Sequence, residues 1–192
     1  MKILGKKKWF TLIEMLIVIV IIWVLASALI PRLGSARGKA NDVARKADLQ
    51  QVATAIISRQ IDTNSFPKTK QQIVSSGWIS TDLIKWGMAS IPVWDDTVYT
   101  GLDGVSSSWY IYYPMYKNGW NSNGFLLMSR AETEWWANYV RCDWDTPIAV
   151  DWSHEIDSIV LCSSIDLDTW WSCDADACVA TDKGQLRYIY KY

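Results

Sequence analysis

Residues 10–30 form a predominantly apolar run with one carboxylate inside it, Glu14, and Lys6, Lys7 and Lys8 stand just before it. As a helix rising about 1.5 Å per residue, these 21 residues span roughly 31 Å, about one hydrocarbon core. The run predicts a helix that sits in lipid or packs among helices of its own kind. An acid at that depth costs about 2.5–3.5 kcal/mol on insertion scales, so Glu14 is a functional candidate by default.

Charge orients this segment. Lys2, Lys6, Lys7 and Lys8 precede it, and the formal net charge of −1 becomes −5 once they are set aside. By the positive-inside rule the N-terminus is expected in the cytoplasm and everything after Ile30 outside. All four cysteines, Cys142, Cys162, Cys173 and Cys178, fall on that outer side, where disulfides form. The acidic body argues against nucleic acid as a partner, because phosphate binding needs a basic surface. A secretory signal fits the lysines, but the run is too long and lacks a small-x-small cleavage site. A plain signal anchor accounts for the lysines and the length and leaves Glu14 unexplained.

Phe10-Thr11-Leu12-Ile13-Glu14, the basic leader, the long apolar helix and Pro31 resemble the start of a type IV prepilin or pseudopilin. Counted from Phe10 as the first mature residue, Glu14 is the fifth and Pro31 the twenty-second, both on the family pattern. The resemblance is dense over residues 6–60 and loose beyond. It implies that a prepilin peptidase cuts between Trp9 and Phe10 and methylates the new amine. Subunits would then leave the membrane lipid through an inner-membrane assembly platform and pack with identical or related subunits into a helical filament. Glu14 would pair with the amine of a neighbouring Phe10. The physics agrees, since a carboxylate in lipid seeks a cation and that amine lies at the same depth. Trp9 departs from the pattern, which has glycine before the cut so that the peptidase approaches the backbone closely.

Tryptophan is over-used, 13 residues against three phenylalanines. Trp135-Trp136 and Trp170-Trp171 are doublets. Gly77-Trp78, Trp86-Gly87 and Gly119-Trp120 read like glycine pairs, and residues 118–124 are a polar turn run with a large aromatic at the centre. Trp23 stands where these proteins commonly carry glycine. Read together, these contexts are those of glycine, as when UGA codons decoded as glycine in the cell are translated as tryptophan. The other reading, a tryptophan-rich face that stacks on sugars, accounts for neither Trp9 nor the turns. No tryptophan is therefore assigned a binding role.

Beyond Ile30 the helix is expected to continue. Pro31 removes a backbone donor and kinks it, Gly34 and Gly38 loosen it, and periodicity resumes. Ala36, Ala40, Val43 and Ala47 share one face, continued by Leu49, Val52, Ala53, Ile56 and Ile57, with the charged residues largely off the stripe. From residue 10 to about 61 the helix would reach on the order of 78 Å. Stop signals cluster at 62–67. A short helix is expected near 69–75, and then strands at 107–113, 124–129, 139–142, 158–162 and 186–190. The first two would form a hairpin around 117–123, and 132–138 is a loop.

The C-terminal part carries the remaining chemistry. Four cysteines allow three pairings. Cys173 and Cys178 can close a small loop while Cys142 and Cys162 clasp the preceding segment, but loop-closure entropy favours no arrangement strongly and the connectivity stays open. A disulfide near the C-terminus is also what the family resemblance implies. A zinc site would need two closely spaced cysteine pairs, and the spacings of 20, 11 and 5 do not supply them. Asp166, Asp168, Asp174 and Asp176 are weak calcium candidates without EF-hand spacing, and a solvated acidic loop is expected instead. His154, with Asp151 and Glu155 near it, has no nucleophile, phosphate loop or carboxylate pair beside it, and reads as a surface histidine. No cofactor is expected.

The fold class expected is α+β, a long N-terminal transmembrane and assembly helix packed against a small antiparallel sheet. The chain divides into a basic leader (1–9), a transmembrane or filament-core helix (10–30), its amphipathic continuation (31–62) and a globular head with a C-terminal disulfide region (63–192). The function implied is a non-enzymatic structural subunit of a type IV pilus or pseudopilus. It would begin as a single-pass inner-membrane protein and end in an extracellular pilus or an envelope pseudopilus. The competing class is a membrane-anchored extracellular binding module, an adhesin or lectin, that does not polymerise.

Overall fold

The computed structural model describes residues 10–73, 78–92, 98–116, 123–142, 144–145, 147, 155–168 and 172–192, with the backbone alone at 31, 78 and 80. Trp9, Asp151, His154 and the turn at 117–122 lie outside the described residues. Two compact units divide at Gly38 and Lys39.

The first unit holds the start of α1 (Leu12–Thr63). Its apolar stretch Leu12–Ile30 is long and apolar enough to cross a membrane, and none of it is buried. A helix hydrophobic all round and exposed all round needs lipid or other helices to cover it.

In the second unit, Lys39–Tyr192, the rest of α1 packs on a five-stranded antiparallel sheet. The strands of this sheet are β1 (Gln71–Gln72), β4 (Ile111–Met115), β5 (Gly124–Arg130), β6 (Tyr139–Val140) and β9 (Leu186–Lys191), in the order β1-β4-β5-β9-β6. Before β4 come α2 (Trp78–Lys85) and a small antiparallel pair, β2 (Tyr99–Thr100) with β3 (Ser106–Ser107). A parallel pair, β7 (Asp166–Leu167) with β8 (Val179–Ala180), precedes β9. This is the α+β architecture that the sequence predicts.

The core lies between α1 and the β4–β5 hairpin, which pairs Ile111 with Met128 through Met115 with Gly124. Leu49, Val52, Ala53 and Ile56 of α1 meet Ile111, Leu127 and Ile189 in one buried cluster. Three buried tyrosines bring their own acceptors. Tyr110 donates to Asp48 at 2.8 Å, Tyr112 to the Pro67 carbonyl at 2.8 Å and Tyr99 to the Trp109 carbonyl at 2.7 Å. Burial raises the pKa of each, so they remain neutral donors. Pro114 is tolerated inside β4 because Tyr110 turns its carbonyl to Ile73, so Pro114 turns its nitrogen to the same edge, past the end of β1. Asn64 ends α1 in the left-handed region at φ 53°, as asparagine commonly does after a helix.

Four local expectations are overturned. The helix expected at 69–75 is edge strand β1 at Gln71–Gln72, because pairing with β4 gives backbone bonds that so short a helix cannot supply. The strand expected at 158–162 is absent. Ile156–Ser158 is a 3-10 turn, and residues 159–162 form no strand pair. The helix face through Ala40, Val43 and Ala47 is exposed, while Asp42 and Arg45 of the charged set are buried and run in step with Leu49, Val52 and Ile56 at spacings of three and four. Their burial is possible because each charge is fully engaged. Arg45 Nη1 lies 3.1 Å from Asp42 and Nη2 lies 2.5 Å from Glu132, and Asp42 also accepts the amides of Glu132 and Thr133, both at 2.9 Å.

The sketched cysteine arrangement is also replaced. The bonds are Cys142–Cys173 and Cys162–Cys178, interleaved in sequence. Cys162–Cys178 joins the segments leading into the paired strands β7 and β8, and Cys142–Cys173 ties the end of β6 to the loop between those strands, inside one buried cluster with Val140, Ala180 and Leu186. With sequence separations of 31 and 16, chain entropy assigns each bond about 3–4 kcal/mol. Changing Cys142 and Cys173 together to serine is expected to lower the denaturation free energy by about that amount, as read from urea unfolding in non-reducing buffer.

Candidate assembly site

The first turn of α1 is closed by its own side chains. Thr11 is the N-cap, and its Oγ1 accepts the Glu14 amide at 3.3 Å. Glu14 Oε2 accepts the Thr11 amide at 2.7 Å and the Thr11 hydroxyl at 2.7 Å. The pair forms a reciprocal capping box. It satisfies donors that a helix end leaves open and that a hydrocarbon environment cannot satisfy. Negative charge at this end is also favoured by the helix dipole.

Glu14 Oε1 accepts nothing among the described residues. The carboxylate therefore closes its own helix through one oxygen. Phe10, 77% exposed, stands one residue before the cap, with Leu12 and Ile13 exposed beside it. Thr11 was missed in the sequence reading, although threonine followed by glutamate three residues later is the recognised signature of this cap. Pro31 lies within α1, which continues through it as a helix.

The acidic C-terminal residues are spread over several elements. Asp166 is in β7, and Asp174 Oδ1 accepts the amides of Asp176 at 3.0 Å and Ala177 at 3.1 Å in a local turn. Among the described residues no group of three histidine, cysteine or carboxylate side chains is placed to hold a metal ion. Glu155 is exposed. Of the described tryptophans, Trp23, Trp135 and Trp144 are exposed, with Lys39 5.7 Å from the Trp135 ring centre.

The chain is 46% identical over 74 residues to the type IV wide pilus major component PilA4 of Thermus thermophilus, which is 38% of this chain and 56% of that one. Over the matched residues the chain is similar to type IV pilin and pseudopilin subunits. It is also 35% identical over 75 residues to the type II secretion system core protein G of Escherichia coli, covering 39% of this chain and 52% of that protein. The core protein G of Pseudomonas aeruginosa is 34% identical over 62 residues, covering 32% and 44%. The chain thus spans about half the length of the curated relatives it matches. No family model matches it, and no solved structure does. The exposed apolar helix of α1 and the antiparallel sheet of the second unit are a pilin-like α+β fold.

Proposed function

We propose that this chain is the structural subunit of a type IV pilus or of a related pseudopilus. The observation that carries the reading is Glu14. It sits at the start of an exposed helix able to cross a membrane and closes that helix with one oxygen, while among the described residues its other oxygen accepts nothing. A neighbour's N-terminal amine at the same depth is the cation that such a carboxylate lacks. The relatives, a pilus component and secretion-system core proteins, support the same role.

In this reading residues 1–9 are a leader on the cytoplasmic side, a prepilin peptidase cuts before Phe10 and methylates it, and an assembly platform extracts the subunit from the inner membrane. Residues 10–30 first anchor the chain and then form filament core through Phe10, Glu14 and Pro31. The second unit faces outward, where its disulfides persist. Position 9 is glycine in the cell, decoded from UGA, which gives the peptidase the open backbone it needs.

Mass spectrometry of the mature protein tests this directly. The expected N-terminus is Phe10 carrying one methyl group. An intact Met1, or another start, overturns the processing reading. A UGG codon at position 9 overturns the glycine reading alone.

A further inference from the structure

The two disulfides differ in how open they are. Cys142 is 1% exposed and Cys173 3%, both inside the cluster with Val140, Ala180 and Leu186. Cys162 and Cys178 are half-buried, and every described residue between them except Cys173 is exposed or half-buried too. Thiol–disulfide exchange begins when a thiolate reaches a sulfur, so access separates the two bonds.

The backbone at Cys178 is also unusual. Asp174 and Val179 exchange amide-to-carbonyl bonds, 2.9 Å in each direction, and enclose the turn at 175–178. Cys178 ends that turn at φ 59°, in the left-handed region. Glycine is the ordinary residue at such a hairpin position, because a Cβ is disfavoured there. A cysteine in its place is explained by the bond it makes to Cys162. That bond spans a segment with few other ties. β7 pairs with β8 through two residues, Asp166 with Val179 and Leu167 with Ala180. So short a pair is marginal by itself. Ile165 and Leu167 are only half-buried against the cluster of the other disulfide. No tryptophan enters this set, so it stands however those positions are decoded.

We infer that Cys162–Cys178 is a redox latch: a dithiol opens it and releases residues 163–168, while Cys142–Cys173 stays closed. One thiolate of the dithiol attacks a sulfur of the pair, forms a mixed disulfide and expels the other cysteine as thiolate. The second thiolate of the dithiol then displaces the cysteine still bound. Two electrons pass to the protein, both cysteines take up the protons the dithiol gave, and the dithiol leaves as a cyclic disulfide. The latch is independent of the filament reading.

The test uses the full chain, folded in detergent. Dithiothreitol is added for increasing times, samples are acid-quenched and alkylated with N-ethylmaleimide, and the peptides are read by mass spectrometry. Cys162 and Cys178 are expected to become labelled together, roughly tenfold faster or more than Cys142 and Cys173. In that half-reduced form, amide hydrogen exchange is expected to quicken at 163–168 and to stay unchanged in β4, β5 and β9. The double variant Cys162→Ser, Cys178→Ser should show the same exchange pattern without reductant, with Cys142–Cys173 formed. Equal rates for the two bonds, or faster opening of Cys142–Cys173, overturn the inference. So does unchanged exchange at 163–168 once Cys162–Cys178 is open, or a double variant whose sheet no longer protects its amides.

Discussion

Glu14→Ala is expected to abolish filament formation while leaving the Lys39–Tyr192 unit folded. Glu14 is exposed, and its only bonded partner among the described residues is Thr11. Losing the capping interaction accounts for about 1 kcal/mol, too little to unfold a 52-residue helix. Losing the open oxygen removes the contact that would register one subunit against the next. The same change makes the anchor more apolar, relieving an insertion cost of about 2.5–3.5 kcal/mol, so the variant stays in the membrane fraction. Two companions separate the effects. Thr11→Ala breaks the cap and keeps the carboxylate, and is expected to assemble. Glu14→Gln keeps an oxygen for the cap but loses the charge, and is expected to fail. Sheared filaments and membrane fractions, compared by immunoblot, give the readout. Parent-like filaments from Glu14→Ala would mean that the carboxylate only caps its helix.

Asp42→Ala carries the largest expected loss of stability, about 3–5 kcal/mol, because it leaves buried charge and backbone donors unmatched. Asp42 accepts from Arg45 Nη1 at 3.1 Å, from the amides of Glu132 and Thr133 at 2.9 Å each and from the Thr133 hydroxyl at 2.7 Å. Its removal strips Arg45 of one of its partners and frees the turn after β5. Glu132→Ala should cost less, since that side chain is 26% exposed and water can replace it. Chemical denaturation of the two variants in non-reducing buffer measures the difference. A loss near 1 kcal/mol for Asp42→Ala would show that water reaches the pair in solution.

Much of the architecture could be read along the chain. The 10–30 run dictates a helix needing lipid or helical neighbours, because no other cover suits that much apolar surface. The aromatic run before Pro114 and the run from Gly124 form the central hairpin, since alternation over adjacent segments is a local property. Glu14 announced itself as an acid in an apolar field. The Thr11 cap is equally local, since a threonine three residues before a glutamate at the head of an apolar run is itself a helix-start signature. The short helix expected near 69–75 and the strand expected at 158–162 failed because their fates depend on whether a strand distant in sequence pairs with them.

What the sequence determined by itself is the exposed apolar helix with its acid, the α+β class and the disulfide-permissive side for four cysteines. Only the tertiary structure decided which cysteines meet, that Asp42 and Arg45 are buried while Ala40, Val43 and Ala47 face outward, and that Arg130 stands opposite Arg187. Hydropathy and capping act over a few residues and are written in local order. The pairing of charges and of thiols 16 and 31 positions apart is decided only once the sheet and the loops around it have formed.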